Sequence, residues 1–405
     1  MKRLLKSLGL ADSGLEALLK HCEALLGESG ESVGVALAAQ TLAAYERLEP
    51  AGRKDFFLAL LARFSPDPQK VLTAAQRYAG DRSHRQLWAL HQAAEPPRQE
   101  LLRRLNRAPG GTAAILRMRE HLIACARELP ELEAADLDFH HLLSSWFNPG
   151  FLRMEQVSWR TPADLLERII AHERVHQIQG WDDLRRRLQD DRRCFAIFHP
   201  VLPAEPLIFV EVALTQAMPD AIGPLFDAAG AVQDPKAARV AVFYSISNCQ
   251  PGLRGVSLGN FLIKRVVDRL SAEFPRLNRF CTLSPVPGFA RWLEQRAPAA
   301  AGNGAAEGAK AELLRLCAEY FLGPGHGGGR TPDPVARFHL SNGARLERIN
   351  WAANRSPRGM REPLGLMVNY LYDPARIERN HELFVAGRNV ASRAVRTLLG
   401  RVAAG

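Results

Sequence analysis

The sequence predicts an α+β protein. An all-helical N-terminal bundle over residues 1–145 precedes a domain over residues 146–405 built on one central sheet. Three observations carry this. Through the first 145 residues apolar side chains recur at three- and four-residue spacing, with no strand-like run. After Phe147-Asn148-Pro149-Gly150, short runs rich in β-branched and aromatic residues interleave with helical stretches. The 405 residues are 47% hydrophobic and 24% charged, enough to bury a large core.

In chain order, the helical segments are GLEALLKHCEALL, VGVALAAQTLAAYERL, RKDFFLALLARF, VLTAAQRYA, RQLWALHQAA, ELLRRLNR, AAILRMREHLIACAREL and LDFHHLLSSWF. Glycine and proline clusters at 27–30, 50–52, 65–68, 96–97 and 109–111 separate them. Thr161 is expected to cap a ninth helix with Pro162 at its first position. Strands are expected through CFAIFH, PLIFVEVAL and VAVFYSIS, then the helix LGNFLIKRVVDRLSAEF and a short strand through FCTLS. Residues 297–309 are of low complexity and read as a loop. The helix AELLRLCAEYFL and the loop GPGHGGGRTPDP lead to strands VARFHL, ARLERINW and GLMVNYLY. One last helix is expected over 375–399.

Composition narrows the function classes. No stretch approaches the roughly 20 apolar residues of a membrane span, and no secretory signal is legible at the start, so a cytoplasmic location is expected. The six cysteines form no C-x-x-C pair, which disfavours a zinc ribbon or a disulfide framework. A net charge of +10 favours an anionic partner: nucleic acid, a membrane surface or a phosphorylated ligand.

Four patterns could carry chemistry. His172-Glu173-Arg174-Val175-His176 fits a zinc-binding H-E-x-x-H helix, or a polar helix end whose histidines favour the C-terminal dipole. Arg254, Gly255, Val256, Ser257, Leu258, Gly259 and Asn260 join a strand to a helix. Free backbone N–H groups there suit a phosphate, or the glycines serve a tight turn. The order Arg-Gly-x-x-Leu-Gly-x-x-Leu resembles the acyl-CoA loop of GNAT acetyltransferases, which usually have glycine where Ser257 stands. Ser284, in Leu283-Ser284-Pro285-Val286-Pro287-Gly288-Phe289, sits at a strand end in proline-stiffened backbone, either as a turn residue or as a polar contact. His339, expected near the end of the strand VARFHL, and His199, ending CFAIFHP, are structural or functional.

Together, in this order, RRCFAIFHPVLPAEPLIFVEVALT, FYSISNCQPGLRGVSLGNFLIKRVV, LSPVPGF, DPVARFHLSNGARLERINW and GLMVNYLY resemble the malonyl-CoA decarboxylase family. The resemblance spans roughly residues 159–372. It implies a helical, assembly-forming domain over 1–145 and a GNAT-like catalytic domain with a mixed sheet over 146–405, commonly arranged as a homotetramer. It implies conversion of malonyl-CoA to acetyl-CoA and CO2 with no metal or organic cofactor. Ser284 and His339 fall on the family's catalytic pair, residues 254–260 on its CoA loop, and His199 on a further active-site histidine. Ser257 departs from members that carry an acidic residue there. With CoA as the anionic partner, neither nucleic acid nor membrane is expected. An acyltransferase using the same loop, a non-enzymatic acyl-CoA sensor and an HExxH zinc peptidase stand as the alternatives.

Overall fold

The computed structural model describes residues 13–28, 30–227, 230–256, 258–297, 310–323 and 331–400. Ser257, most of the expected loop at 297–309 and the glycine run at 324–330 lie outside them. The chain forms two compact units. The first takes Met1–Phe151 with two short returns, Pro200–Leu202 and Gln250–Val256; the second takes Leu152–His199, Pro203–Cys249 and Ser257–Gly405.

The first unit holds eight α-helices among the described residues, one for each segment expected: α1 (Ser13–Gly27), α2 (Glu31–Glu46), α3 (Pro50–Arg63), α4 (Pro68–Gly80), α5 (His84–Ala94), α6 (Pro97–Leu105), α7 (Gly111–Ala126) and α8 (Glu133–Trp146). Proline opens α3, α4 and α6, where a missing N–H costs nothing. Leu18, Phe57, Leu60, Ile115, Leu122 and Leu143 build its core. Two ion pairs sit inside it, Arg98 with Asp138 and Arg119 with Asp136. Helices α4 and α5 differ from the rest: neither buries a single residue, although each is amphipathic, and Leu72, Leu87 and Trp88 face outward.

The second unit is an eight-stranded mixed sheet with helices. Its strands are β1 (Arg153–Val157), β2 (Arg192–Phe198), β3 (Ile208–Thr215), β4 (Val240–Asn248), β5 (Arg279–Thr282), β6 (Ser284–Pro285), β7 (Arg345–Asn350) and β8 (Met367–Tyr372). Strands β1 to β4 run antiparallel in sequence order. β4 then pairs parallel with β5, but only from Val240 to Phe243; the rest of β4, to Asn248, continues without β5. β5 and β6 keep one register along an edge of β8, with Phe280 opposite Tyr372 and Ser284 opposite Val368, and β7 also pairs antiparallel with β8. The helices are α9 (Ala163–His172), α10 (Trp181–Arg187), α11 (Gly223–Phe226), α12 (Gly259–Glu273), α13 (Phe289–Arg296), α14 (Lys310–Leu322), α15 (Pro334–Ser341), α16 (Pro357–Arg361), α17 (Ile377–Val385) and α18 (Arg393–Leu399). The order β4, glycine loop, α12, parallel β5 is a parallel strand–helix–strand unit.

Several expectations are corrected here. VARFHL, expected as a strand, is helix α15: the Asp333 carboxylate accepts the N–H of Ala336 and Pro334 occupies the first turn, a complete helix start that outweighs one β-branched residue. The expected cap Thr161 instead bonds Ser158 N, and α9 begins one residue later, after Pro162. The single C-terminal helix is two, α17 and α18, separated at residues 386–392, with Ser392 capping the second. Strand β1 was not expected; its outward residues are mostly polar, so it lacks an apolar run.

Candidate active site

Ser284 and His339 lie 55 positions apart in the sequence, and the structure brings them together. Ser284 Oγ is 3.3 Å from His339 Nε2, and both residues are buried. The serine is aimed by the irregular step between β5 and β6. There Thr282 Oγ1 accepts the N–H of Tyr370, while the side-chain amide of Asn369 donates to Thr282 O. The Ser284 hydroxyl donates to Thr282 Oγ1 at 2.9 Å. On the other side, His339 Nδ1 is 2.7 Å from the Tyr372 hydroxyl, and the Tyr370 ring stacks on the imidazole with centroids 4.7 Å apart.

These contacts define one proton order. With the serine proton committed to Thr282, the histidine must donate from Nε2 to Ser284 Oγ, and Nδ1 must accept from Tyr372. Burial supports both ends of that chain. It pushes the Tyr372 phenol well above its ordinary range, so the tyrosine keeps its proton. It pushes the His339 imidazole down to about 3, so the ring is neutral at physiological pH. An exposed histidine titrates near neutrality; here burial removes that charge. Thr282, Tyr370 and Tyr372 had no sequence signal of their own, because each reads as an ordinary strand residue.

The glycine loop lies at the carboxyl end of β4. In the first unit, the 3-10 turn Pro251–Leu253 is fastened to α7, where Arg119 donates to Gly252 O at 2.7 Å while paired with Asp136. Gly255 follows with φ +85°, a conformation open to glycine. In the second unit, α12 starts at Gly259 with no side-chain cap, leaving its first N–H groups to other acceptors. Since β4 and β5 are parallel neighbours, the start of α12 and Ser284 both follow carboxyl ends of strands at one edge of the sheet, the edge where open α/β sheets bind ligands. His199 follows β2, with β3 and β4 between that strand and β5, and is buried.

The H-E-x-x-H segment does not form a metal-binding helix. Helix α9 stops at His172, and Glu173 is extended. Its Oε1 accepts the N–H groups of Val175 and His176, and its Oε2 accepts the hydroxyls of Ser245 and Ser247. His176 packs on Phe226 with ring centroids 5.1 Å apart, and burial lowers it to about 3. Among the described residues no group of three or more His, Cys, Asp or Glu is placed to hold a metal ion. A cavity of about 1170 Å³ beside His176, lined by Arg186, Arg187, Phe226 and Arg358, contains neither Ser284 nor His339 in its wall.

The model of the malonyl-CoA decarboxylase C-terminal domain matches residues 150–309 and 298–404, and that of the N-terminal domain matches residues 64–147. The chain is 34% identical over 383 residues to the mitochondrial malonyl-CoA decarboxylase of Anser anser anser, covering 81% of this chain and 76% of that protein. It is 34% identical over 347 residues to the mouse (Mus musculus) enzyme, covering 74% and 70%. The crystal structure of malonyl-CoA decarboxylase from Rhodopseudomonas palustris superposes with a TM-score of 0.89 at 48% identity, over 95% of this chain and 100% of that one. The enzyme from Cupriavidus metallidurans gives 0.74 at 32% identity, over the same shares. With both domain models matched in order along most of its length, the chain belongs to the malonyl-CoA decarboxylase family.

Proposed function

We propose that this protein decarboxylates malonyl-CoA to acetyl-CoA and CO2, with Ser284 and His339 as its catalytic residues and no metal or organic cofactor. The observation that carries the reading is the buried chain Thr282–Ser284–His339–Tyr372, whose Nε2 proton faces the serine. Breaking the C–CO2 bond of a malonyl thioester leaves an enolate whose electrons rest on the thioester oxygen. The substrate is its own electron sink, so no cofactor is required for that role. The protein has to orient the carboxylate, shed its water, and return a proton to the α-carbon. Ser284 orients the carboxylate by turning its hydroxyl from Thr282 to donate to the substrate, and His339 supplies the proton.

The neutral resting histidine fits this sequence of events. A carboxylate about 4 Å from the ring, at an effective dielectric of about 20, attracts an imidazolium by about 4 kcal/mol, or about 3 pK units. That raises His339 from about 3 toward 6, so the arriving substrate draws in the proton it will need. CO2 then leaves uncharged, and the imidazolium transfers its proton to the carbanion. The balance closes: one malonyl carboxylate and one proton from water give one methyl group and one CO2.

Residues 254–260 receive the CoA pyrophosphate through backbone N–H groups, and the net charge of +10 favours its approach. The helical first unit serves self-association, most simply as a homotetramer; amphipathic α4 and α5, with no buried residue, support this. No helix among the described residues is long and apolar enough to cross a membrane, and a cytoplasmic location is proposed. The test is to incubate EDTA-treated protein with malonyl-CoA and quantify acetyl-CoA and CO2. Equal amounts of both, lost in His339→Ala, are expected. Activity restored only by added zinc would overturn the cofactor-free reading.

A further inference from the structure

The serine segment and the histidine helix converge on a carboxylate that touches neither residue. Asp333 is fully buried, at 0% exposure. One of its oxygens accepts the N–H of Ala336 at 2.8 Å, capping α15 six positions before His339. Its other oxygen accepts the hydroxyl of Tyr320 at 3.4 Å, and the nearby N–H groups of Val335 and Gly288 favour its charge. Gly288 closes the turn that follows β6, the strand of Ser284, so one side chain caps the histidine helix and lies against the serine segment. The approach is close. A Cβ on Gly288 would stand 2.2 Å from the Tyr320 hydroxyl oxygen and 3.8 Å from the far oxygen of Asp333, so only glycine lets the turn sit there.

The segments on either side are stiff, so what Asp333 fixes is carried to the reacting atoms. From the cap to His339 runs continuous helix, a rise of about 9 Å. From Gly288 back to Ser284 the chain holds Pro287, buried Val286 and Pro285, whose φ angles or packing leave little freedom. The Ser284–His339 hydrogen bond is 3.3 Å long, already at the outer end of the useful range. A relative shift of a few tenths of an ångström between the two segments breaks it.

We propose that Asp333 is a positioning residue for the decarboxylation, holding the Ser284 turn and the His339 helix in the one geometry that joins the two catalytic side chains. This rests on the catalytic reading of that pair. Asp333→Asn is the informative change. Its remaining oxygen still caps Ala336, while an NH2 group replaces an oxygen that an N–H or O–H donor needs. The helix start survives and the tie between segments is lost.

The expected result is a folded protein whose kcat falls about tenfold or more while KM for malonyl-CoA stays within about threefold. Ser284→Ala should then cost several-fold less in the Asp333→Asn background than in the wild type, because the alignment it would destroy is already gone. A general loss of structure would instead leave the two effects multiplicative. Asp333→Ser, which caps α15 but is too short to reach Gly288, should behave like Asp333→Asn. A folded Asp333→Asn with kcat within twofold of wild type, or losses that multiply, would overturn the assignment. So would failure of both variants to fold, which would make the carboxylate structural only. Ser284→Ala and His339→Ala in the wild-type background separate the two claims: if they keep full activity, it is the catalytic pair that is wrong.

Discussion

Replacing Tyr372 by phenylalanine removes one oxygen and leaves the ring packed edge-on against Phe243, with centroids 6.2 Å apart. The oxygen lost is the 2.7 Å partner of His339 Nδ1. His339 is only 4% exposed, so water does not take its place. The imidazole then has two poor choices. It can keep its proton on Nε2 and leave Nδ1 an unpaired buried acceptor, or move the proton to Nδ1 and face Ser284 with a bare Nε2. The first costs about 1–3 kcal/mol, the usual penalty of an unsatisfied buried polar atom; the second escapes part of that only by removing the catalytic proton. Converted to rate, 1–3 kcal/mol is a loss of roughly 5- to 150-fold in kcat. KM should change little, since Tyr372 is assigned to the histidine and not to the CoA phosphates. Steady-state production of acetyl-CoA, with a melting curve for each protein, measures both. A folded Tyr372→Phe variant with kcat within twofold of wild type would refute the proton order.

Other outcomes follow from the same geometry. His339 and His176 are both lowered to about 3 from an unfolded value near 6.5, so between those pH values the unfolded chain binds more protons. Their stabilising contribution is full above pH 6.5 and shrinks as pH falls, by up to about 1.4 kcal/mol per pH unit for each ring. Glu211, raised to about 8, acts in the opposite sense between pH 4.5 and 8 but is one group against two. The melting temperature should therefore drop from pH 6.5 to 4.5, and less steeply in His176→Gln; equal slopes would argue against a buried neutral His176. Arg119→Met should remove the bonds to Gly252 O and Asp136, lower stability by about 1–3 kcal/mol and raise KM for malonyl-CoA; a lower melting temperature with unchanged KM would separate that anchor from CoA binding. Leu72→Glu with Trp88→Glu should shift the protein to a smaller species in light scattering with its melting temperature kept, since neither side chain is buried in the chain itself; an unchanged mass would exclude α4 and α5 from the contact.

Helix existence was legible throughout the first unit because helical periodicity needs only local sequence, and proline or glycine clusters marked five of the seven breaks. The strands β2, β3, β4 and β8 were legible as buried apolar runs, whereas β1 was hidden by its polar outward positions. The error at VARFHL had a readable antidote: Asp333-Pro334 is a cap followed by a first-turn proline, but Val335 and Phe338 drew the reading toward a strand. In the site, Ser284 and His339 were found through resemblance, while Thr282, Tyr372 and Asp333 were not. Their roles come from register and close approach, with Ser284 opposite Val368 in the sheet and Gly288 against Tyr320, and no spacing along the chain encodes those neighbours. The H-E-x-x-H pattern misled for the complementary reason. Its spacing implies a shared helix face only if the helix continues, and Glu173 ends it by accepting two backbone N–H groups.

Burial acts on His339 in two opposed ways, and pH-dependent kinetics can tell whether the enzyme uses both. Desolvation disfavours the ring's proton, yet the same exclusion of water strengthens its attraction to a substrate carboxylate. If the acid is made by substrate binding, productive binding takes up one proton. Above pH 4 log kcat/KM should fall with a slope near −1, because the free ring is already neutral. Log kcat should stay level until the raised value of the complex, near 6, and fall beyond it. Inhibition by acetyl-CoA, measured over the same range, corrects for titration of the CoA phosphates, since it carries them without the malonyl carboxylate. Profiles for both parameters that stay level from pH 5 to 8 after that correction would mean that the neutral Nε2–H itself delivers the proton. The Tyr372 hydroxyl would then have to follow the charge to Nδ1, and the phenol, not the carboxylate, would be the group that makes this histidine an acid.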